Sequence, residues 1–275
     1  MSDATVINNR VSELRGSAGK QTENRETGGA RPVSTQSSIS IQSSISIQPS
    51  ISIVIPVLDE FTALPENLRQ VLAEPDLAQC IVVDGGSTDG TLEFLRGLRH
   101  PKLRVVQSAK GRGRQMNAGA RYAAADYLLF HHADSRLHPG SVTRLRQKLG
   151  VHRPAWGGFK HRFSNENWKL ALISWLHNFR CRKTGAIYGD QSMFVDRQFF
   201  WRLNGFQQSG LEDIDFSERA SQKRPSFRLS EDVITDSRKF KRLGELRGLV
   251  HVLSIIVRHQ FDQRIGNERF FHPYR

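Results

Sequence analysis

Acidic residues recur in this chain immediately after apolar runs. Val54-Ile55-Pro56-Val57 leads into Asp59-Glu60, Ile81-Val82-Val83 into Asp84, and Leu128-Leu129-Phe130 into His131-His132-Ala133-Asp134. A further pair, Glu212-Asp213, opens a later periodic segment. Carboxylates gathered at one place repel unless a cation or a donor-rich ligand neutralises them. A divalent ion carrying a diphosphate meets both needs; oxygen ligands favour Mg2+ or Mn2+, and a histidine tilts the set toward Mn2+. Arg112 and Arg114 supply complementary charge from a glycine-rich loop ahead of a predicted helix. Guanidinium groups beside a helix N-terminus suit an anion. The loop is not GxGxxG, so a dinucleotide fingerprint is not indicated. Asp84 to Gly90 also lacks the alternating acids of a calcium loop.

These side chains need a frame that delivers them to one edge. Residues 51–57, 80–84, 103–107 and 127–131 read as strands from their apolar, β-branched content. Between them, Leu64, Leu68, Val71 and Leu72 share a helical face, Leu92, Leu95 and Leu98 another, and 113–124 forms a small-residue helix. Ser87, Thr88 and Asp89 are candidate caps of the second helix. A fourth helix is expected over 139–149, with Pro139 in its first turn. Alternating strands and helices imply an α/β fold of the Rossmann-like kind, a mostly parallel sheet flanked by helices. In such sheets ligands bind beyond the C-terminal strand ends, where the acids stand. Later, 156–163 and 192–195 read as strands, and 168–179, 196–201 and 212–221 as helices.

The chain has 275 residues, a formal net charge of +13 and 38% hydrophobic residues, enough for one sizeable domain and a tail. Residues 1–50 are polar and low in complexity, with SSISIQ repeated before PSISIV; they are expected to be disordered. The domain is placed at 51–240, and 241–275 as a basic C-terminal extension whose residues 243–261 read as an amphipathic helix. A basic surface attracts phosphate in any carrier. Lys239, Lys241, Arg242, Arg247 and Arg258, together with the aromatic 168–179 helix, point to peripheral contact with an anionic membrane. No apolar leader or run of about 20 apolar residues is present, so a cytoplasmic protein, seated on the inner face of the plasma membrane, is expected. Cys80 and Cys181 lack metal-finger spacing and read as reduced, buried thiols.

Residues 53–60 (IVIPVLDE), 81–91 (IVVDGGSTDGT), 110–120 (KGRGRQMNAGA), 128–136 (LLFHHADSR) and 210–216 (GLEDIDF) occur in the order and spacing of a known family. Together they resemble the GT-A domain of family 2 glycosyltransferases, and in detail a short subgroup associated with radical-SAM and selenodomain proteins. The resemblance implies an inverting, hexosyl-type transfer of one sugar from a nucleotide diphosphate sugar, with UDP-sugar the expected donor, to an unknown, lipid-like acceptor. It implies that Pro56, Glu60 and Asp84 contact the nucleoside, with Arg112, Arg114 and Asn117 on the nucleotide sugar and Gln115 orienting it. Asp134, with His132 in place of the family's first Asp, would hold the divalent metal. Asp213, ahead of Glu212, would be the catalytic base, and Gly189, Asp190 and Gln191 would line the acceptor side. The QxxRW signature of processive synthases is absent, so polymerisation is not expected.

Three other readings compete. A nucleotidyltransferase would carry a basic glycine-rich loop directly after the first strand, where Val57-Leu58-Asp59-Glu60 stands instead. A nucleic-acid binder would interleave aromatics with the charge on an exposed sheet, so nucleic acid is not an expected partner. An inactive nucleotide-sugar-binding protein is raised by Gly85 and His132, which depart from the family pattern.

Overall fold

A computed structural model describes residues 48–164, 167–208 and 211–235. The apolar runs form strands β1 (Ile51–Val57), β2 (Gln79–Asp84), β3 (Leu103–Gln107) and β4 (Tyr127–Phe130). Helices α1 (Leu64–Leu72), α2 (Thr91–Gly97) and α3 (Arg112–Tyr122) connect them. These strands pair in parallel. The chain continues through β5 (Ser135–Leu137), α4 (Ser141–His152), β6 (Trp156–Phe163) and α5 (Trp168–Thr184). A one-turn 3-10 helix (Gly189–Gln191), β7 (Phe194–Asp196), α6 (Arg197–Arg202), α7 (Glu212–Ser221) and β8 (Phe227–Thr235) follow. All eight strands join one sheet in the order β3-β2-β1-β4-β7-β6-β8-β5. β7 runs antiparallel between β4 and β6, β5 is antiparallel to β8, and β6 and β8 are parallel. The sheet is thus mostly parallel, as the alternating pattern implies.

The period of two in β1 divides the core. Ile51, Ile53, Ile55 and Val57 pack on one face with Leu64, Leu68 and Val71 of α1. Val54 packs on the other with Ile81, Val83, and Met116 and Ala120 of α3. α3 lies so close that a Cβ on Gly119 would stand 2.4 Å from Val54 Cγ1. The same face carries an aromatic block: the rings of Phe130 and Phe206 are 4.7 Å apart, and those of Phe200 and Phe216 5.4 Å. Each such buried ring stabilises the fold by about 1.5–3 kcal/mol. At Gly157 an added Cβ would fall 1.8 Å from the Phe227 carbonyl, so β6 and β8 meet there only because residue 157 has no side chain.

Some expectations change. α2 starts at Thr91 from a left-handed Gly90, and none of Ser87, Thr88 and Asp89 is its N-cap. Ser87 Oγ is engaged by the loop that follows β1, and Asp89 binds both that loop and Thr91. α4 starts after Gly140, so Pro139 precedes the helix and does not sit in its first turn. The aromatic helix runs on to Thr184, and β5 and β8 are strands that the apolar pattern alone does not reveal. The 241–275 extension and nearly all of the 1–50 segment lie outside the described residues. Among the described residues no helix is long and apolar enough to cross a membrane.

Candidate active site

The C-terminal ends of β1 and β2 carry two loops stitched side by side. Asp59 adopts a φ of 54°, and its Oδ1 accepts from the Thr88 amide at 2.7 Å. Ser87 Oγ accepts from the Asp59 amide, Thr91 Oγ1 from the Glu60 amide and Asp89 Oδ2 from the Phe61 amide. Beneath them, the buried Gln115 amide donates to the carbonyls of Val57 at 2.7 Å and Val83 at 2.9 Å. An added Cβ on Gly85 would meet that amide at 2.9 Å, so a side chain at residue 85 would disturb the Gln115 bridge. Pro56 is the last residue but one of β1, half-buried opposite Val83. Asp84 is fully buried, and its carboxylate accepts from the amides of Gly86 at 2.9 Å and Ser87 at 3.2 Å.

Beyond β4 the chain turns through His131 to Asp134. Asn67, a polar residue on the apolar face of α1, fixes this turn by donating to the carbonyls of His132 and Ala133. His131 is buried between Ser192 Oγ at 2.7 Å and Asn67 Oδ1 at 3.3 Å, and burial depresses its pKa to about 3. It is a neutral structural group. His132 points the other way. Its Nε2 is buried and has no hydrogen-bond partner. Burial first, and the charge of Arg112 second, lower its pKa and keep the ring neutral.

α3 and α7 close the site from opposite sides. Glu212 Oε1 accepts from the Gly113 amide at 3.0 Å, so this carboxylate caps the N-terminus of α3. Arg112 Nη2 reaches Asp213 Oδ2 at 2.5 Å and Glu212 Oε2 at 3.6 Å. Burial opposes the Arg112 charge, but Asp213, Glu212, Asp190 and Asp134 outweigh it and raise its pKa. Arg114 Nε donates to Gln208 at 2.7 Å. Asn117 donates to and accepts from the Phe206 backbone, at 2.7 and 3.0 Å, and so clamps the 205–208 loop.

Gly189 lies where these groups converge. A Cβ there would stand 2.5 Å from Asp213 Oδ2 and 2.7 Å from His132 Nε2. The fold thus brings Arg112, His132, Gly189 and Asp213 together, with Asp134 and Asp190 within the same electrostatic field. Gln191 is turned inward, its amide oxygen accepting from the Tyr188 amide and its nitrogen donating to the Phe159 carbonyl. His132 and Asp134 fit a divalent ion: one is a neutral imidazole with an orphaned, buried nitrogen, the other a carboxylate in the same turn.

A second cluster surrounds Asp190 and was not legible beforehand. Its carboxylate lies 3.6 Å from His161 Nε2 and 3.4 Å from His177 Nε2. These three residues could be suspected of holding a metal, since their ligand atoms lie within 4.8 Å of one another. The arrangement does not fit one. The two imidazoles stack at 4.9 Å and 16°, so their in-plane lone pairs cannot aim at one ion. Arg180 Nη2 also stands 3.3 Å from His177 Nε2. Burial pushes His177 down to about 3. Burial likewise opposes the Asp190 charge, but His177, His161 and the permanently charged Arg180 outweigh it and lower the carboxyl's pKa. The cluster thus sets a carboxyl of lowered pKa next to Gly189 in the chain.

Comparison with known proteins bears on this arrangement. The chain is 32% identical over 128 residues to PGL/p-HBAD biosynthesis glycosyltransferases of Mycobacterium tuberculosis and Mycobacterium bovis. The match covers 42% of this chain and 49% of those proteins, so the chain spans about half the length of these curated relatives. Its fold is similar to Staphylococcus aureus TarS in complex with UDP-GlcNAc, with a TM-score of 0.57, 15% identity, and 78% of this chain and 68% of that one covered. It is also similar to the mannosyltransferase PcManGT of Pyrobaculum calidifontis in complex with GDP-Man and Mn2+. There the TM-score is 0.54 at 20% identity, over 68% and 56% of the two chains. These likenesses establish a GT-A fold. The sequence model of glycosyl transferase family 2 matches residues 52–206, the span from β1 to the loop that Asn117 clamps. Most of the parallel sheet and the His132–Asp134 turn lie inside that span, and the chain is a glycosyltransferase of family 2.

Proposed function

We propose that this glycosyltransferase moves one sugar from a UDP-sugar to an acceptor hydroxyl with inversion, and that Asp213 is its catalytic base. The observation that carries the reading is the convergence of Asp213, Arg112 and His132 on the space beside Gly189. Glu212 is committed to capping α3, which leaves Asp213 as the carboxylate of the pair that faces the site. In an inverting transfer the acceptor oxygen attacks the anomeric carbon from the side opposite the leaving group. Asp213 takes the hydroxyl proton as the new C–O bond forms, and the old bond's electron pair leaves with the diphosphate.

Arg112 has two roles in this reading. Without donor it pairs with Asp213, and a carboxylate in such a pair is a poor base. A diphosphate competes for the same guanidinium, because charge-assisted contacts to phosphate oxygens are strong. Donor binding therefore draws Arg112 away and frees Asp213. Asp134 and His132 would hold a divalent ion, Mn2+ or Mg2+, which when bound neutralises the leaving diphosphate. Asp84 and the stitched loops at 59–61 and 85–91 form the nucleoside side. Asp190 and its histidines form the acceptor side. The resemblance of the five motifs supports reading the chain as a member of the short subgroup, and the absent QxxRW signature supports transfer of a single sugar.

The test is nucleotide diphosphate release from a panel of UDP- and GDP-sugars with Mn2+, coupled to donor binding. Asp213→Asn is expected to lower turnover about 10²–10⁴-fold while donor affinity is kept. Wild-type turnover by that variant would move the base elsewhere. Asp134→Asn should lose metal-dependent turnover with less effect on nucleotide binding than Asp84→Asn.

A further inference from the structure

Seven large hydrophobic side chains are exposed among the described residues, and four of them lie on one helix. Trp168 is 73% exposed, Trp175 54%, Phe179 39% and Leu172 38%. Their spacing of four, three and four residues puts them in one stripe of α5, within a sector about 60° wide at 3.6 residues per turn. The rings of Trp175 and Phe179 stack at 5.4 Å. The opposite face of α5 is buried through Leu170, Ile173, His177 and Cys181. The stripe is therefore a second apolar face with nothing from the helix's own core behind it. The other exposed large apolar residues, Phe61, Tyr122 and Val151, are single residues on different elements. Scattered single residues need no explanation; a contiguous patch does.

Charge identifies what covers it. α5 contains no Asp or Glu. Arg182 and Lys183, both exposed, flank the stripe at its C-terminal end and approach the Phe179 ring to 5.9 and 5.7 Å. Lys169 lies 5.7 Å from the Trp168 ring at the other end. Aromatic residues bordered by Lys and Arg suit the boundary between headgroups and acyl chains. A second copy of this chain would bring like charges together, since each carries +13. An anionic bilayer brings opposite charge.

We infer that the exposed face of α5 docks the protein on an anionic lipid bilayer, with Trp175 and Phe179 inserted at the interface. The same helix carries His177, whose Nε2 faces the Asp190 carboxylate at 3.4 Å from the buried side of α5. A docked α5 therefore leaves the Asp190 side about one helix diameter, ~10 Å, from the bilayer, which favours an acceptor hydroxyl borne by a lipid. The acceptor clause rests on the glycosyl-transfer reading; the docking does not.

The experiment is co-sedimentation of the full chain with vesicles of phosphatidylglycerol mixed with phosphatidylcholine, and of phosphatidylcholine alone. Binding is expected on the anionic vesicles, weakened by salt. The double variant Trp175→Gln/Phe179→Gln is expected to bind them at least ~10-fold less well, because two apolar anchors are lost. Its thermal unfolding and its hydrolysis of a soluble donor should stay at wild-type values. A second full-length variant, Lys239→Gln/Lys241→Gln/Arg242→Gln, is expected to retain the dependence on Trp175 and Phe179. Equal binding by wild type and the aromatic variant overturns the inference, as does loss of binding in the tail variant alone. A salt-resistant dimer that the aromatic variant abolishes also overturns it, by giving the stripe to a second copy. Failure of donor turnover leaves the vesicle result standing, so the two readings fail separately.

Discussion

Adding one methyl group at residue 189 would place a carbon inside the reaction centre. The Cβ of Gly189→Ala would stand 2.5 Å from Asp213 Oδ2, 2.7 Å from His132 Nε2 and 2.8 Å from His132 Cε1. Non-bonded heavy atoms settle at about 3.5 Å or more, so the two side chains must each retreat by roughly 1 Å. Both contacts are side-chain ends, which can move, so overpacking costs about 1–3 kcal/mol of stability and the chain still folds. Catalysis is less tolerant: a displacement of about 1 Å at a reacting group lowers turnover on the order of 10²-fold. Donor affinity should change little, because the proposed nucleoside side lies on the β1 and β2 loops. Gly97→Ala is the matched control. It sits at the end of α2 with nothing within 4 Å of an added Cβ, and should gain about 0.5–1 kcal/mol with unchanged kinetics. The readouts are turnover of the donor found in the panel screen, donor affinity by calorimetry and melting temperature. If Gly189→Ala turns over at the wild-type rate and melts as the wild type does, the convergence of Asp213 and His132 on residue 189 is wrong.

Asn117→Ala should lose about 2 kcal/mol or more, since two part-buried backbone groups of Phe206 are left without their partner; chemical denaturation reads this, and a variant that instead loses only donor affinity would return Asn117 to the sugar. Glu212→Gln keeps an acceptor for the Gly113 amide but loses the charge at the α3 N-terminus, so it should melt lower by a cost of about 0.3–1 kcal/mol and keep most turnover. Turnover lost as deeply as in Asp213→Asn would exchange the roles of the two acids. Burial pushes the Cys80 thiol up to about 12 and also raises that of Cys181. Neither should therefore react with a thiol-specific disulfide reagent at pH 8 until denaturant is added, and rapid labelling of the native protein would contradict their placement in the core.

Much of the frame is legible in the sequence, because local pattern and tertiary role agree there. β1 and β2 are runs of β-branched and aliphatic residues buried in the sheet, β3 is a half-buried run at its edge, and α7 begins where Glu212 and Asp213 suit a first helical turn. β8 is not legible for a physical reason. Its residues Phe227–Thr235 include Arg228, Glu231 and Asp232, and their strand form comes from pairing with β6, seventy residues upstream at Gly157↔Phe227. The N-caps fail similarly: Ser87 is a good cap by type, but its Oγ accepts from the Asp59 amide, and Asp89 divides its carboxylate between the Phe61 amide and Thr91 while Gly90 takes the cap position.

Among the site residues the division follows the partner's distance along the chain. A residue's type and its place at a strand end are local facts, so His132, Asp134 and Asp213 could be nominated from the sequence. What a polar side chain bonds is a tertiary fact. Gln115, Asn117, Glu212 and Gln191 each carry groups suited to a sugar, yet each spends its hydrogen bonds on backbone groups at Val57, Phe206, Gly113 and Phe159. His161 lies between two basic residues of a strand and His177 in an aromatic helix, with no spacing that marks a site, and their common neighbour, Asp190, appears only when β6, α5 and the 3-10 turn meet. The pairing of Arg112 with Asp213 spans 101 residues. It joins a cation nominated for phosphate to an acid nominated as base, and it gives a reason for their coexistence that neither motif contains: each neutralises the other, and under the proposed mechanism a diphosphate would take the cation away.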